Sequence, residues 1–542
     1  MAGTEVAAEL KKLFRGKGAH LGRLTHLLAE HYGDRDAIHD DAPTPGLHPG
    51  GIRTYREIED AVARLAAVHR DAGVEHGQRV MVLVENRFDV FLHALAVARL
   101  RAIPALANPR LRPAEMEAVR LATGAQFVVA DPEVAERARE GITSNDVTWL
   151  ETSGPNSVET WLEANPDKAV IAPPDMDPNE VALFLTTSGT TGAPKAAALT
   201  SRGLLETPGR IGGVPGIGKE GRDRLVVALP IAHVMGFGNY LGMLCGGVFV
   251  VHRPRFDPHE MLDLIEEHRP NVFIGVPTMF ADLEAAGAAE RDLSSIRLFA
   301  SSADAMPEER ARRFQTYGAA AVIAGKPRGK ATFVDGYGMV ELSGAGAIRL
   351  YAPGPSWLRV PSIAAVIPGL EVRAVDEDGN KVGWGKVGEL QFRGVGVLDR
   401  YEGHEDAGPD ADGWLSSGDY ARIWPGGLFF SFAGRCKDRL KVGGFSVFPA
   451  EVETELAKHP DVAEVALVGI QDERLGERPV ALVVPRGDSL DEAALLAWAH
   501  QQVAGYRCPR EVYVVDEIPR GNNAKVDRQA ATELGEKLAA VS

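Results

Sequence analysis

Apolar positions recur along this chain with two alternating periods. Residues 54–73 (TYREIEDAVARLAAVHRDAG) space their apolar side chains three and four apart and stop at Gly73, which predicts an amphipathic helix. Val80–Val84 (VMVLV) is an unbroken apolar run of strand length, and Val90–Leu100 returns to helical spacing. The runs 125–130 (AQFVVA), 225–228 (LVVA), 248–251 (VFVV) and 271–276 (NVFIGV) repeat the strand pattern between helical stretches. Strand–helix alternation of this kind predicts an α/β fold, with parallel sheets flanked by helices on both faces. From Val447 the order changes to helix 450–458, strands 462–468 and 479–484, helix 491–503 and strand 512–515, a small α+β unit.

Composition narrows this picture. The 542 residues hold 45% hydrophobic and 25% charged side chains, ordinary for a folded chain of several domains and unlike a disordered one. Net charge is −16, so a general nucleic-acid-coating role is excluded by repulsion from phosphate backbones. Cys245, Cys436 and Cys508 lie far apart, without zinc spacing or a disulfide framework, and read as reduced thiols of a cytoplasmic protein. Residues 5–15 (EVAAELKKLFR) form at most a short amphipathic helix, with no apolar signal core behind it. The most apolar stretch, 91–107, is interrupted by Arg99 and Arg101, so no membrane span is expected.

The chemistry is most concentrated at 184–195 (FLTTSGTTGAPK). Strand 181–185 runs into a loop of hydroxyls and glycines closed by Pro194 and Lys195. Such a loop lets main-chain N–H groups approach an anion, adds hydroxyl donors and supplies one point charge, which suits a triphosphate. The run 213–219 (GVPGIGK) looks like a phosphate-binding P-loop, but Glu220 follows where a metal-binding hydroxyl belongs, and it is read as a plain glycine loop.

From Thr54 to about Arg528 the chain resembles the adenylate-forming (ANL) superfamily of acyl- and aryl-CoA synthetases, peptide-synthetase adenylation domains and firefly luciferase. Thr187–Lys195 is similar to its phosphate loop, 229–236 (LPIAHVMG) to its substrate gate, and 336–341 (GYGMVE) to its magnesium and adenine motif. Residues 412–419 (DGWLSSGD) resemble its ribose motif, 434–441 (GRCKDRLK) its hinge, and 519–528 (PRGNNAKVDR) its catalytic-lysine segment. The resemblance implies a large N-terminal domain, 1–434, of parallel-sheet α/β subdomains with a small β-barrel-like part. A hinge at 435–438 and a small mobile α+β domain, 439–542, would follow.

It also implies a two-step reaction. A carboxylate attacks the α-phosphate of ATP to give an acyl-adenylate and pyrophosphate, and the thiol of coenzyme A then displaces AMP. Catalytic roles fall to Lys525, Glu341 (the Mg²⁺ ligand) and His233. Nucleotide contacts fall to Thr187, Ser188, Gly189, Thr190, Thr191, Gly192 and Lys195, then to Ser302, Ala303, Asp304, Asp335, Gly336, Tyr337 and Gly338, and finally to Asp419 and Arg435. His233, Gly236, Phe237, Gly238 and Gly242 would line the acyl pocket, Lys437 would be the pivot, and Lys441, Gly443 and Gly444 would form the CoA face.

Departures from the family pattern bear on rate and specificity. Val340 replaces the usual threonine, and the loss of one neutral hydrogen bond, about 0.5–1.5 kcal/mol, slows adenylation without abolishing it. Ala196 and Ala524 replace common glycines, and Ser302, Ala303 and Asp304 depart from the family's adenine loop. Residues 230–240 contain no carboxylate to pair with an α-amino group, so a non-amino acid is expected. The stretch 319–332 reads as a surface excursion. The leading expectation is an AMP-forming carboxylate–CoA ligase using ATP, Mg²⁺ and coenzyme A. The alternative is loading of a carrier protein, with pairing of two copies left open. A nucleotide-binding pseudoenzyme is disfavoured, because Lys195, Glu341, Asp419, Arg435 and Lys525 are all present.

Overall fold

A computed structural model describes residues 20–166, 171–173, 175–188, 194–211, 223–304, 306–351, 363–404, 407–472, 474–487, 489–503, 505, 507–520 and 526–541. The predicted elements form with shifts of a few residues at their ends. Helix Tyr55–Asp71 is started by a capping box, in which Thr54 and Glu57 satisfy each other's exposed N–H groups. Every residue of helix Asp89–Arg99 is buried. Arg99 is tolerated there because its guanidinium meets Glu59 at 2.5 Å and the carbonyls of Gly22 and Ile171 at 3.2 Å. Among the described residues no helix is long and apolar enough to cross a membrane.

The chain forms two compact units. The first takes the residues up to Glu371 together with Arg393–Leu415, and the second takes Val372–Phe392 and the residues from Ser416 onward. The segment 435–438 therefore lies within the second unit, as the short 3₁₀ turn Cys436–Asp438 and the residue before it.

In the first unit, one sheet runs in the order Arg400–Tyr401, Pro194–Thr200, Val181–Ser188, Ile103–Leu106, Arg79–Leu83, Phe127–Ala130, Thr148–Glu151. Its last five strands are mutually parallel, as the alternating pattern predicted. A second sheet places Thr332–Met339 beside Leu298–Ser302, then Val272–Gly275, Arg224–Val227, Phe249–His252 and Asp36–Asp40, all parallel. Phe273, Phe280, Phe299, Phe314 and Phe333 pack edge-on and tilted beneath it as the centre of one core. The 319–332 excursion is a hairpin, Ala321–Ile323 against Lys326–Arg328, exposed beyond Ala321.

In the second unit, strand Leu415–Ile423 lies antiparallel to Phe429–Arg435. The tail builds its own sheet, in which Gly476–Pro485 pairs with Val462–Asp472, Leu440–Val442 and, in parallel, Glu511–Val514. Helix Pro449–Leu456 and helix Glu492–Gln502 share the core of Leu440, Val452, Leu467, Ala481 and Leu495.

Candidate active site

Strand Val181–Ser188 carries Thr187 directly opposite Lys195 on Pro194–Thr200. The intervening Gly189, Thr190, Thr191 and Gly192 lie outside the described residues, as do the 213–219 glycine run, the 5–15 segment and Lys525. The short strand Arg400–Tyr401 pairs onto the outer edge of Pro194–Thr200, with Tyr401 opposite Ala197. That pairing brings the Tyr401 hydroxyl to 2.6 Å from Glu341 Oε1, to which it donates. Lys195, the strand partner of Thr187, has its Nζ 5.6 Å from the centre of the Tyr401 ring. Glu341 is 8% exposed, in the 3₁₀ turn Val340–Leu342, and its main-chain carbonyl accepts from Leu398 N at 2.8 Å. Burial, reinforced by the Glu341 charge, holds the Tyr401 phenol far above its ordinary range, so it remains a donor.

A second cluster sits where Leu298–Ser302 and Thr332–Met339 lie side by side. Ser302 is opposite Gly336, and its hydroxyl donates to the Gly336 carbonyl at 2.8 Å. Asp335 meets Arg349 at 3.0 Å, and Arg349 also donates to the Met306 carbonyl at 3.0 Å. Burial pushes the Asp335 carboxyl up to about 6 against the pull of Arg349. Asp335 Oδ1 is buried with no hydrogen-bond partner among the described residues. Ala303 holds φ +79°, a conformation natural to glycine, with Asp304 next to it. Gly338 has a steric reason: a Cβ there would lie 2.3 Å from the Gly344 carbonyl, across a bulge that follows Tyr337.

On the acyl side, His233 is exposed and caps helix Val234–Cys245, its Nδ1 accepting from Met235 N at 3.3 Å. The glycines of this helix differ. A Cβ on Gly236 would lie 1.9 Å from the Pro230 carbonyl, so Gly236 is a packing residue; a Cβ on Gly238 would meet nothing within 4 Å. Gly242 is half-buried, and its carbonyl accepts from Gly246 N at 3.0 Å. Phe237 is fully buried with its ring 5.1 Å from that of Phe91, which makes it part of the core rather than a wall of open space.

In the second unit, Asp419 and Arg435 face each other across the Leu415–Ile423 and Phe429–Arg435 pair. Lys437 is exposed in the turn Cys436–Asp438. Gly443 and Gly444, at φ +57° and +84°, form the two-residue turn between Leu440–Val442 and Phe445–Val447, which by itself requires glycine-like conformations. Lys441 is exposed just before that turn. Not every nearby cation is available: Arg439 donates to Glu377 at 2.9 Å, Arg520 to Glu464 at 2.7 Å and Arg528 to Glu453 at 2.9 Å. The three cysteines are unpaired, and burial pushes Cys245 and Cys436 up to about 12.

The family model described as AMP-binding enzyme matches residues 27–402, and the model of its C-terminal domain matches 451–525. The chain belongs to the AMP-binding enzyme family. Within the adenylate-forming superfamily it falls in the acyl- and aryl-CoA synthetase branch. A feruloyl-CoA synthase from Amycolatopsis sp is 32% identical over 496 residues, covering 88% of this chain and 93% of that protein. The 4-coumarate–CoA ligase 1 of Oryza sativa subsp. japonica is 30% identical over 552 residues, covering 97% and 95%. The solved structure of ATP-bound MatB from Rhodopseudomonas palustris superposes with TM-score 0.80 at 26% identity, covering 95% of this chain and 99% of that one.

For this AMP-binding enzyme, Mg²⁺ is the implied ion, and the donor set fits it. Glu341 would offer a hard oxygen ligand, and its Oε1 already accepts from the Tyr401 hydroxyl. Among the described residues no group of three or more His, Cys, Asp and Glu could hold a metal ion on its own. A cation bound by one carboxylate and by substrate phosphates matches both facts. Tyr401 and Arg349 were not anticipated from sequence: Tyr401 reaches Glu341 through a strand pairing between distant segments, and Arg349 reaches Asp335 through the register of two consecutive antiparallel strands. The only available hint was an aromatic residue following Arg400 in an otherwise polar stretch.

Proposed function

We propose that this enzyme makes the CoA thioester of an aromatic, non-amino carboxylic acid. Its reaction class is that of an AMP-forming carboxylate–CoA ligase: acid and ATP give acyl-adenylate and pyrophosphate, and CoA displaces AMP. The observation that carries the reading is the meeting of Glu341 and Lys195 at Tyr401, with Thr187 paired to Lys195. An ammonium, a hydroxyl and a carboxylate grouped in this way suit a reaction governed by positioning and charge neutralisation. Bound magnesium supplies neutralisation of phosphate charge. Thr187 and Lys195 hold phosphate oxygens, and Tyr401 keeps Glu341 oriented.

Ser302, Asp335 and Gly336 border the adenine, with Tyr337 offering its ring, while Asp419 and Arg435 take the ribose. Lys525 neutralises charge developing between the acid and the α-phosphate. The segment 435–438 is the pivot that exchanges Lys525 for a CoA-accepting face at Lys441, Gly443 and Gly444. His233 gates the acyl pocket. The aromatic class is supported by the relatives' names, by the open space at Gly238, and by the absence of a carboxylate in 230–240 that could hold an amino group. A cytoplasmic location, where ATP and CoA are at hand, goes with this reading.

The test is pyrophosphate exchange across a panel of hydroxycinnamic, benzoic, fatty and amino acids, with and without CoA. Exchange and CoA consumption with aromatic acids are expected. Exchange without CoA consumption would favour carrier-protein loading. No exchange with any acid would overturn the ligase reading. Lys525→Ala should cripple exchange yet spare thioester formation from pre-made adenylate, and an equal loss in both would refute the pivot.

A further inference from the structure

Outside the reacting centre, the half-buried Asn86 holds the loop that leads to His233 and is itself held by two buried side chains, His252 and Tyr240. Asn86 follows strand Arg79–Leu83 and uses every group of its side-chain amide. Its Nδ2 donates to the carbonyls of Leu229 at 3.3 Å and Pro254 at 3.1 Å, and its Oδ1 accepts from Ile231 N at 2.8 Å. Two carbonyls and one N–H leave a single consistent orientation for this amide. Its main-chain carbonyl accepts from His252 Nε2 at 2.8 Å, and His252 Nδ1 in turn accepts from the Tyr240 hydroxyl. His252 and Tyr240 are 0% and 1% exposed. Because Nε2 donates to a carbonyl, the neutral ring has its Nδ1 lone pair free for Tyr240, and burial keeps that ring neutral by lowering its pKa.

The loop is held from its other side as well. His233 N donates to the Pro230 carbonyl at 3.2 Å, and Gly236 packs so closely on that carbonyl that no side chain fits. The carbonyls of Leu229 and Pro230 and the N–H of Ile231 are therefore committed between Asn86 and the residue that caps helix Val234–Cys245. Tyr240, the anchor of the relay, lies on that same helix, two residues beyond Gly238, which faces open space. Asn86 thus ties together the gate loop, the helix that forms the acyl wall, and the end of strand Phe249–His252.

We propose that Asn86 is a positioning residue for the acyl pocket, clamping residues 229–233 so that His233 and Gly238 are presented to the acid at fixed positions. This rests on the functional reading above. The clamp acts on the acid and not on the nucleotide, because none of its contacts involves Thr187, Lys195, Asp335 or Glu341. Asn86→Ala removes all three side-chain hydrogen bonds. Asn86→Asp keeps the acceptor for Ile231 N and loses both donors.

Steady-state kinetics with the preferred acid, run beside calorimetric binding of a non-hydrolysable ATP analogue with Mg²⁺, separates the two sides. Asn86→Ala is expected to raise KM for the acid about tenfold, as befits a few neutral hydrogen bonds. Asn86→Asp should raise it less, Tyr240→Phe less again, and nucleotide affinity should stay within about twofold in all three. A merely structural role would lower the active fraction, reducing kcat with acid KM unchanged, and that result overturns the proposal. Equal rises in acid KM and in the nucleotide dissociation constant overturn it too. If Asn86→Ala fails to fold, Asn86→Asp and Tyr240→Phe decide on the same readouts. A wild type with no acid-dependent exchange at all would sink the functional reading first. A wild type that exchanges normally beside variants of unchanged acid KM sinks only the clamp.

Discussion

The two compact units differ in the surroundings they give the charged groups of their candidate sites. In the first, charges are buried and partnered before any substrate arrives: Asp335 with Arg349 at 3.0 Å, Glu341 with the Tyr401 hydroxyl at 2.6 Å, Arg99 with Glu59 at 2.5 Å. In the second, Lys437 and Lys441 stand exposed beside tight turns, and among the described residues neither makes an ion pair. Burying a charge carries a desolvation cost that only fixed partners offset, so the first unit gains a rigid local field that needs no rearrangement during reaction. An exposed lysine costs almost nothing in stability and is screened by water and salt. Such a group acts strongly only when water is excluded around it, which suits a charge delivered for one step and then withdrawn.

The largest expected effect tests that contrast through pH. The Asp335 carboxyl is pushed up to about 6, chiefly by burial, from 3.8 in a solvated chain. Between those values the folded protein binds a proton that the unfolded chain has lost. The contribution is therefore fully present below 3.8 and disappears as pH rises through about 6. Integrated over the window this is on the order of 3 kcal/mol. The stability of the wild type minus that of Asp335→Asn, from urea unfolding, should fall by about that amount from acid to neutral pH. The same difference for Lys441→Ala should stay flat and within ~0.5 kcal/mol. A flat Asp335 profile, or a sloping Lys441 one, breaks the contrast.

A smaller effect is expected from Tyr401→Phe, which deletes the hydroxyl on Glu341 and leaves the ring under Lys195. One hydrogen bond to a buried charged acceptor is worth about 1.5 kcal/mol at the lower end, so affinity for an ATP analogue with Mg²⁺ should drop roughly tenfold. Calorimetry with and without Mg²⁺ locates the cause. If the hydroxyl works by orienting Glu341, the gap between wild type and variant closes when the metal is removed. A gap that persists without metal would place the role of Tyr401 on the Thr187–Lys195 side instead.

Much of the fold was legible in the chain because buried parallel strands are written as short apolar runs, and 80–84, 225–228 and 271–276 each became one. The motifs at Thr187–Lys195 and 336–341 could be picked out for a similar reason: each is contiguous, so the chemistry it suggests is spelled in order. What the sequence concealed was pairing between distant segments. Tyr401 reaches Glu341 only because Arg400–Tyr401 adds to the edge of Pro194–Thr200, and Asn86 reaches Ile231 across two sheets' worth of chain. Glycine roles were hidden too. Gly236 and Gly238 look alike in LPIAHVMGFG, yet one is jammed against a carbonyl and the other faces open space. Gly443 and Gly444, expected to form part of a CoA face, also have a turn to make.

The smallest expected effect concerns where each unit stores backbone strain. Ala303, between Ser302 and Asp304, holds φ +79°, whereas the second unit meets the same demand at Gly443 and Gly444 with residues that bear it freely. A left-handed non-glycine residue costs ~1–2 kcal/mol, and glycine gives back ~0.4–1 kcal/mol through a more mobile unfolded chain. Ala303→Gly should therefore stabilise the protein by several tenths of a kcal/mol, and Gly444→Ala should destabilise it by a similar amount, each read as a shift in thermal midpoint. Nucleotide binding then tells whether the strain at Ala303 is kept because the adenine loop needs a side chain that narrows its motion. On that account Ala303→Gly, although more stable, should bind nucleotide slightly more weakly. A variant both more stable and tighter-binding would show the strain to be incidental to the site.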